Sequence, residues 1–90
     1  MHATAPVVSQ DPWSLSESTM GCIWDHLLQH TPNDIVEFGS GYSTWIFALY
    51  ANEHPAATVT SIEDSMVFYD RTMKMLGDLA GTVRMVHAPI

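Results

Sequence analysis

Residues 35–44 read IVEFGSGYST: an apolar run broken by Glu37, then Gly39 and Gly41 one residue apart, then small or hydroxylated side chains. The pattern predicts a β-strand ending at Gly39, a tight turn and a helix beyond it. A glycine has no Cβ to collide with a ligand, so such a turn permits close backbone approach to one. The same two glycines would also serve simply to turn the chain.

The flanking sequence fits a strand–turn–helix centre. Upstream, Met20, Ile23, Trp24, Leu27 and Leu28 recur at the spacing that places one apolar stripe on a helix. That predicts a helix over 15–30, opened by a capping box of Ser14 and Glu17 and stopped by HTPND. Residues 1–13 hold two prolines and read as an arm. Downstream, STWIFALYAN is apolar almost all round, as a helix packed on a sheet should be. EHPAA makes a turn, and TVTSI is a second strand ending at Glu63. Asp64 or Ser65 can cap a further helix whose Val67, Tyr69, Met73 and Leu76 lean one way, with Gly77 placed to end it. TVRMVHA reads as the third strand.

Strands separated by helices are too far apart for hairpins, and such alternation makes a parallel sheet with right-handed crossovers. The expected fold class is therefore α/β: a Rossmann-like parallel sheet with flanking helices, of which residues 14–90 supply the first three strands. This is a partial fold. The first strand is left with one edge lacking a partner. Either a further C-terminal half or another molecule, a second copy included, is expected to cover it.

Composition narrows the function classes. Ninety residues allow one small domain, and 47% apolar against 14% charged residues is rich in apolar side chains for that size. Three Lys plus Arg face ten Asp plus Glu, a net charge of −7. Nothing in that balance supplies the cationic surface that neutralises phosphates, so a nucleic-acid partner is disfavoured. No apolar run approaches the ~20 residues that span a bilayer, and the N-terminus lacks a signal-peptide pattern, so no membrane partner and a cytoplasmic location are expected. The single cysteine, Cys22, cannot form an internal disulfide, and its place in an apolar helical pattern reads as buried and inert.

Ligands of βαβ units sit outside the carboxyl ends of the strands, which is where the glycine loop lies. Two carboxylates flank it: Glu37 ends the first strand, and Glu63 ends the second, 22 residues after Gly41. An ionised carboxylate at the second position can accept bonds from a ribose diol, which points to a nucleoside. A dinucleotide fingerprint starting at Gly39 would need glycine where Thr44 stands, and Glu37 would repel a pyrophosphate, so NAD is the weaker reading. A phosphate-binding loop of the Walker type needs a lysine that is absent from this loop. A ligand with an ammonium and a sulfonium is cationic where Glu37 would attract it, and S-adenosyl-L-methionine has that pattern.

VEFGSGYST followed by VTSIED resembles the E-x-G-x-G signature and downstream ribose acid of class I S-adenosylmethionine-dependent methyltransferases. The likeness is greatest to catechol-type small-molecule O-methyltransferases and related bacterial members with an EFGSG-ST loop, and covers about residues 18–90. It implies that Glu37 partners the methionine ammonium, that Gly39, Ser40, Gly41 and Ser43 surround the methionyl part, and that Glu63 holds the ribose. Ser43 replaces the family's third loop glycine. Asp64 stands where an apolar residue commonly packs on adenine. The resemblance implies a small-molecule methyl acceptor. It assigns no general base and no metal ligand in this chain.

Other candidates carry less. His26 and His30 are four apart on a helix but lack a third ligand, so they read as a solvent-facing pair. His87, near the end of the third strand, reads first as a packing or surface residue and second as a cofactor neighbour. Trp24, Trp45 and Phe47 read as core, and Met66, Met73 and Met75 as gap fillers or interface residues. The rival function is a non-catalytic half-domain that associates through its open sheet edge.

Overall fold

The structure, a computed structural model, describes residues 16–89. Helix α1 (Glu17–His30) begins at Ser16, whose hydroxyl accepts the N–H of Thr19 at 3.2 Å. Ser14 of the expected capping box lies outside the described residues; the cap is Ser16. Met20, Trp24 and Leu27 are buried along one stripe, whereas Leu28, expected on it, is 46% exposed. Cys22 is exposed, contrary to expectation, beside an apolar groove lined with Ile23 and Phe47. The predicted apolar stripe was one position too wide: Ile23 is half-buried at the margin of the buried face, and Leu28 and Cys22 fall past it.

The turn after α1 leads into β1 (Asp34–Phe38), followed by α2 (Tyr42–Glu53), β2 (Thr58–Glu63), α3 (Met66–Leu76), a 3₁₀ helix (Gly77–Thr82) and β3 (Arg84–His87). The three strands are parallel in the order β1-β2-β3, with Glu37 beside Ser61 and Glu63 beside His87. This is the α/β, Rossmann-like partial sheet the sequence predicts. The 3₁₀ helix is an addition to it. Gly77 ends α3 as foreseen, with its φ of +53° and its N–H on the carbonyl of Met73.

Helix α2 is the centre of the molecule. It packs on β2, α1 and α3, and seven of its twelve residues are buried, which is why its sequence shows no polar face. Trp24 and Trp45 lie in the core with Met20, Ile46, Tyr50 and Val59, and Phe47 packs against them. The phenol of Tyr50 donates to the carbonyl of Pro32 at 2.7 Å, tying the helix to the approach to β1.

Side chains alternate across each strand, so Val59, Ser61 and Glu63 point under the helices and are buried. Val36 and Phe38 point to the opposite face and are 60% and 69% exposed. Strand β1 pairs only with β2 among the described residues, so its outer edge and this apolar face lie together. On α3, Leu76 is buried and Tyr69 and Met73 are half-buried as expected, but Val67 is 68% exposed. The fully buried α3 residue is Thr72, a polar side chain the apolar pattern passed over.

Candidate cofactor site

The site forms where β1 and β2 end and α2 begins. Gly39 continues the ladder by donating its N–H to the carbonyl of Ile62 at 2.8 Å, then turns with φ at +93°. That angle is what calls for glycine, since L side chains rarely adopt it, while a Cβ built there would meet nothing within 4 Å. The open space is what a ligand drawn up to the loop would need. Gly41 has φ 166°, ordinary extended backbone, so its conformation does not demand glycine.

Glu37 is held by three hydroxyls. Ser43 donates to Oε2, Thr44 donates to Oε1, and Ser61 donates to Oε1 at 2.7 Å. Thr44 in turn accepts the N–H of Gly41 at 3.0 Å, which fixes the first turn of α2 against the loop. All three donors are neutral, so they orient the carboxylate without cancelling its charge. Ser43, expected around a methionyl group, is thus also a clamp on Glu37.

Glu63 is placed differently. It is 3% exposed, and its Oε1 accepts both the N–H of Ser40 at 2.8 Å and the Ser40 hydroxyl at 2.7 Å, while Oε2 accepts the N–H of Ser65 at 3.0 Å. Burial pushes its pKa up, but the bonds from Ser65 and Ser40 outweigh burial and hold it below the ordinary carboxylate value. A carboxylate has about four acceptor positions, and three are in use. The remaining one is on Oε2.

Asp64 is exposed, and Ser65 rather than Asp64 caps α3, accepting the N–H of Phe68 at 3.3 Å. His87 is exposed at the end of β3, with Nε2 3.3 Å from the Asp64 carbonyl and its ring edge-on to Tyr69. His26 and His30 are both exposed on α1, far along the chain from these residues, with ring centroids 4.2 Å apart. The structure brings Glu37, Gly39, Ser40, Gly41, Ser43 and Glu63 into one loop region, with Asp64 at its margin.

In the solved structures, the chain is similar to a Staphylococcus aureus protein assigned as a caffeoyl-CoA O-methyltransferase, with a TM-score of 0.69 and 20% identity over 94% of this chain and 38% of that one. It is also similar to YjhP from E. coli, with a TM-score of 0.60 and 22% identity over 82% of this chain and 30% of that one. The chain carries part of the Rossmann-like α/β fold that these two proteins share. It spans well under half the length of either protein. Neither a family model nor a curated protein matches the sequence.

Three residues that sequence reading did not assign to the site are part of it. Ser61 carried a signal, since it lies two before Glu63 and therefore on the same face of β2. Thr44 carried one as well: it stands three residues after Gly41, where a side chain can reach back to the loop. Thr72 carried none, because nothing local marks a threonine in mid-helix as facing a loop 32 positions earlier. No helix among the described residues is long and apolar enough to cross a membrane.

Proposed function

We propose that this chain is the cofactor-binding part of a class I S-adenosylmethionine-dependent methyltransferase, working in the cytoplasm on a small-molecule acceptor. The observation that carries the reading is Glu37, a half-buried carboxylate at the mouth of the glycine loop, oriented by hydroxyls that leave its charge intact. That site suits a cationic group and opposes a phosphate. The donor set fits the cofactor: Glu37 for the ammonium, the open space over Gly39 for close approach, and the spare position on Glu63 Oε2 for a ribose hydroxyl. S-adenosyl-L-methionine supplies a sulfonium methyl group for attack by an acceptor nucleophile. This chain's residues bind and orient it, which is a real share of catalysis by proximity. Asp64, exposed beside Glu63, is a margin residue of the same site.

The fold shared with the S. aureus protein supports this reading, and caffeoyl-CoA illustrates the acceptor class without fixing the acceptor here. NAD is disfavoured, because the Thr44 hydroxyl is committed to Glu37 where a dinucleotide fold would have glycine. A second reading rests on Val36 and Phe38. Their exposure on the sheet face beside the open edge of β1 favours coverage by further elements of the same fold or by a second copy, with binding rather than catalysis as the role of this part.

Calorimetric titration with S-adenosylhomocysteine and, separately, with NAD tests the proposal. Binding of the first, weakened about tenfold or more by Glu37→Gln, is expected for a charged partner lost. Binding of NAD alone would overturn it. Binding of neither, with concentration-dependent association in light scattering, would favour the second reading.

A further inference from the structure

Thr72 lies in the middle of α3 with no exposure, and its hydroxyl donates to Ser40 Oγ at 2.8 Å. Ser40, 9% exposed, passes its own hydroxyl proton to Glu63 Oε1 at 2.7 Å. A buried chain therefore runs from α3 through the glycine loop to the end of β2. We propose that Thr72 is a positioning residue for nucleoside binding: it holds the Ser40 proton on Glu63, so that Oε1 stays with the protein and Oε2 is the oxygen offered to a ribose hydroxyl. The proposal rests on the cofactor reading above for its ligand.

Proton counting carries the argument. The Ser40 hydroxyl has one proton and two acceptors in range, Glu63 Oε1 at 2.7 Å and the carbonyl of Phe68 at 3.5 Å. A threonine inside a helix commonly returns its proton to the carbonyl four residues earlier, which here is Phe68. Thr72 donates to Ser40 instead. That occupies a lone pair of Ser40 Oγ and favours the rotor position in which its proton points to Glu63. Without the Thr72 donor, the Ser40 hydroxyl is free to turn toward Phe68, and Oε1 keeps only the Ser40 N–H. The carboxylate then has one fewer restraint and is held only by the N–H groups of Ser40 and Ser65, so the direction in which Oε2 is offered is set less tightly.

The test compares Thr72→Val, which keeps shape and removes the donor, with Thr72→Ser, which restores the donor without the methyl group. S-adenosylhomocysteine binding is measured by calorimetry, and the titration of the Glu63 carboxyl carbon is followed by NMR alongside Asp64 and His87, its titratable neighbours. The expected result is about fivefold to tenfold weaker binding for Thr72→Val, with binding within about twofold of the wild type for Thr72→Ser. The Glu63 midpoint should rise in the first variant and return in the second. Equal binding and an unmoved midpoint in Thr72→Val would overturn the proposal, as would equal losses in both variants, which would show that binding responds to any change of packing at this position rather than to loss of the donor. If the wild type does not bind the ligand, the cofactor reading fails by itself, and the Glu63 midpoint alone decides whether Thr72 positions the carboxylate. Should Thr72→Val not fold, Thr72→Cys, a weaker donor of similar size, takes its place with the same expected direction.

Discussion

Ser40 and Glu63, 23 positions apart, meet twice at a single oxygen: the N–H and the hydroxyl of Ser40 both donate to Glu63 Oε1. One is backbone and the other side chain, so the pair fixes both the path of the glycine loop and the rotamer of the serine. It joins β1 to β2 beyond their last ladder bond. The remaining oxygen belongs to the cap of α3. Glu63 is thus a structural junction as well as a candidate ligand, and these roles make different predictions.

Replacing Ser40 by alanine removes a hydroxyl donor from a buried carboxylate and leaves Thr72 without its acceptor. Bonds to charged groups contribute about 1.5–3 kcal/mol, so Ser40→Ala should destabilise the fold by about 2 kcal/mol. Urea unfolding followed by circular dichroism measures this. A loss below about 0.5 kcal/mol, the level of a neutral surface change, would mean that the Ser40 hydroxyl does not hold Glu63 in solution.

The same junction sets an acid limit. Burial raises the Glu63 pKa, the bonds from Ser65 and Ser40 lower it, and the net result lies below the ordinary carboxylate value. A folded-state pKa below the unfolded one means that the unfolded chain binds the proton first as pH falls. The stabilising contribution of Glu63 is therefore complete above the ordinary carboxylate pKa of the unfolded chain and is lost as pH drops through the lowered folded value. Urea midpoints should hold near neutrality and fall below that point. In Glu63→Gln the fall should be shallower while the neutral-pH stability is lower, and an unchanged acid slope would assign the loss to other carboxylates.

The order of elements was legible in the sequence because each had a local cause: a stripe of three to four residue spacing in α1, a β-rich run in β2, and glycines at two of the three described places where φ is positive, Gly39 and Gly77. The carboxylates of the site were legible because each ends a strand. Boundaries and facing were less so. Cys22 and Leu28 lie at the margins of the α1 stripe, where a turn of a few tens of degrees decides burial, and spacing alone does not resolve that. Thr72 was hidden for a different reason. Its burial is explained by a hydroxyl partner in the loop, a contact that appears only once β1, β2 and α3 are assembled.

Thr31 offers a stabilising change that leaves the site alone. It follows α1 with φ 41° and ψ 58°, a left-handed conformation, and donates its N–H to Leu27 at 2.8 Å. A β-branched residue pays a steric cost there that glycine does not, of about 1–2 kcal/mol. Pro32 already stops the helix, so glycine is not needed to break it. After the entropy cost of glycine in the unfolded chain, Thr31→Gly should raise stability by about 0.5–1 kcal/mol. A higher midpoint in urea with an unchanged slope is the expected reading, and a lower midpoint would show that Thr31 is unstrained.

Gly39 tests whether the open space over the loop is used. Its φ of +93° disfavours any L side chain, and a residue forced into a sparsely populated region costs about 1–3 kcal/mol. Because an added Cβ meets nothing within 4 Å, Gly39→Ala has no protein clash to add to that cost. Its effect on stability should therefore stay within the strain range. Its effect on S-adenosylhomocysteine binding should be larger than the same strain would produce through unfolding alone, since the methyl group enters the space that a cofactor lying on the loop would fill. Calorimetry at a temperature where the variant is fully folded separates the two. Tight binding retained by folded Gly39→Ala would place the cofactor away from this glycine, and the loop would then act only as the turn that carries the chain from β1 into α2.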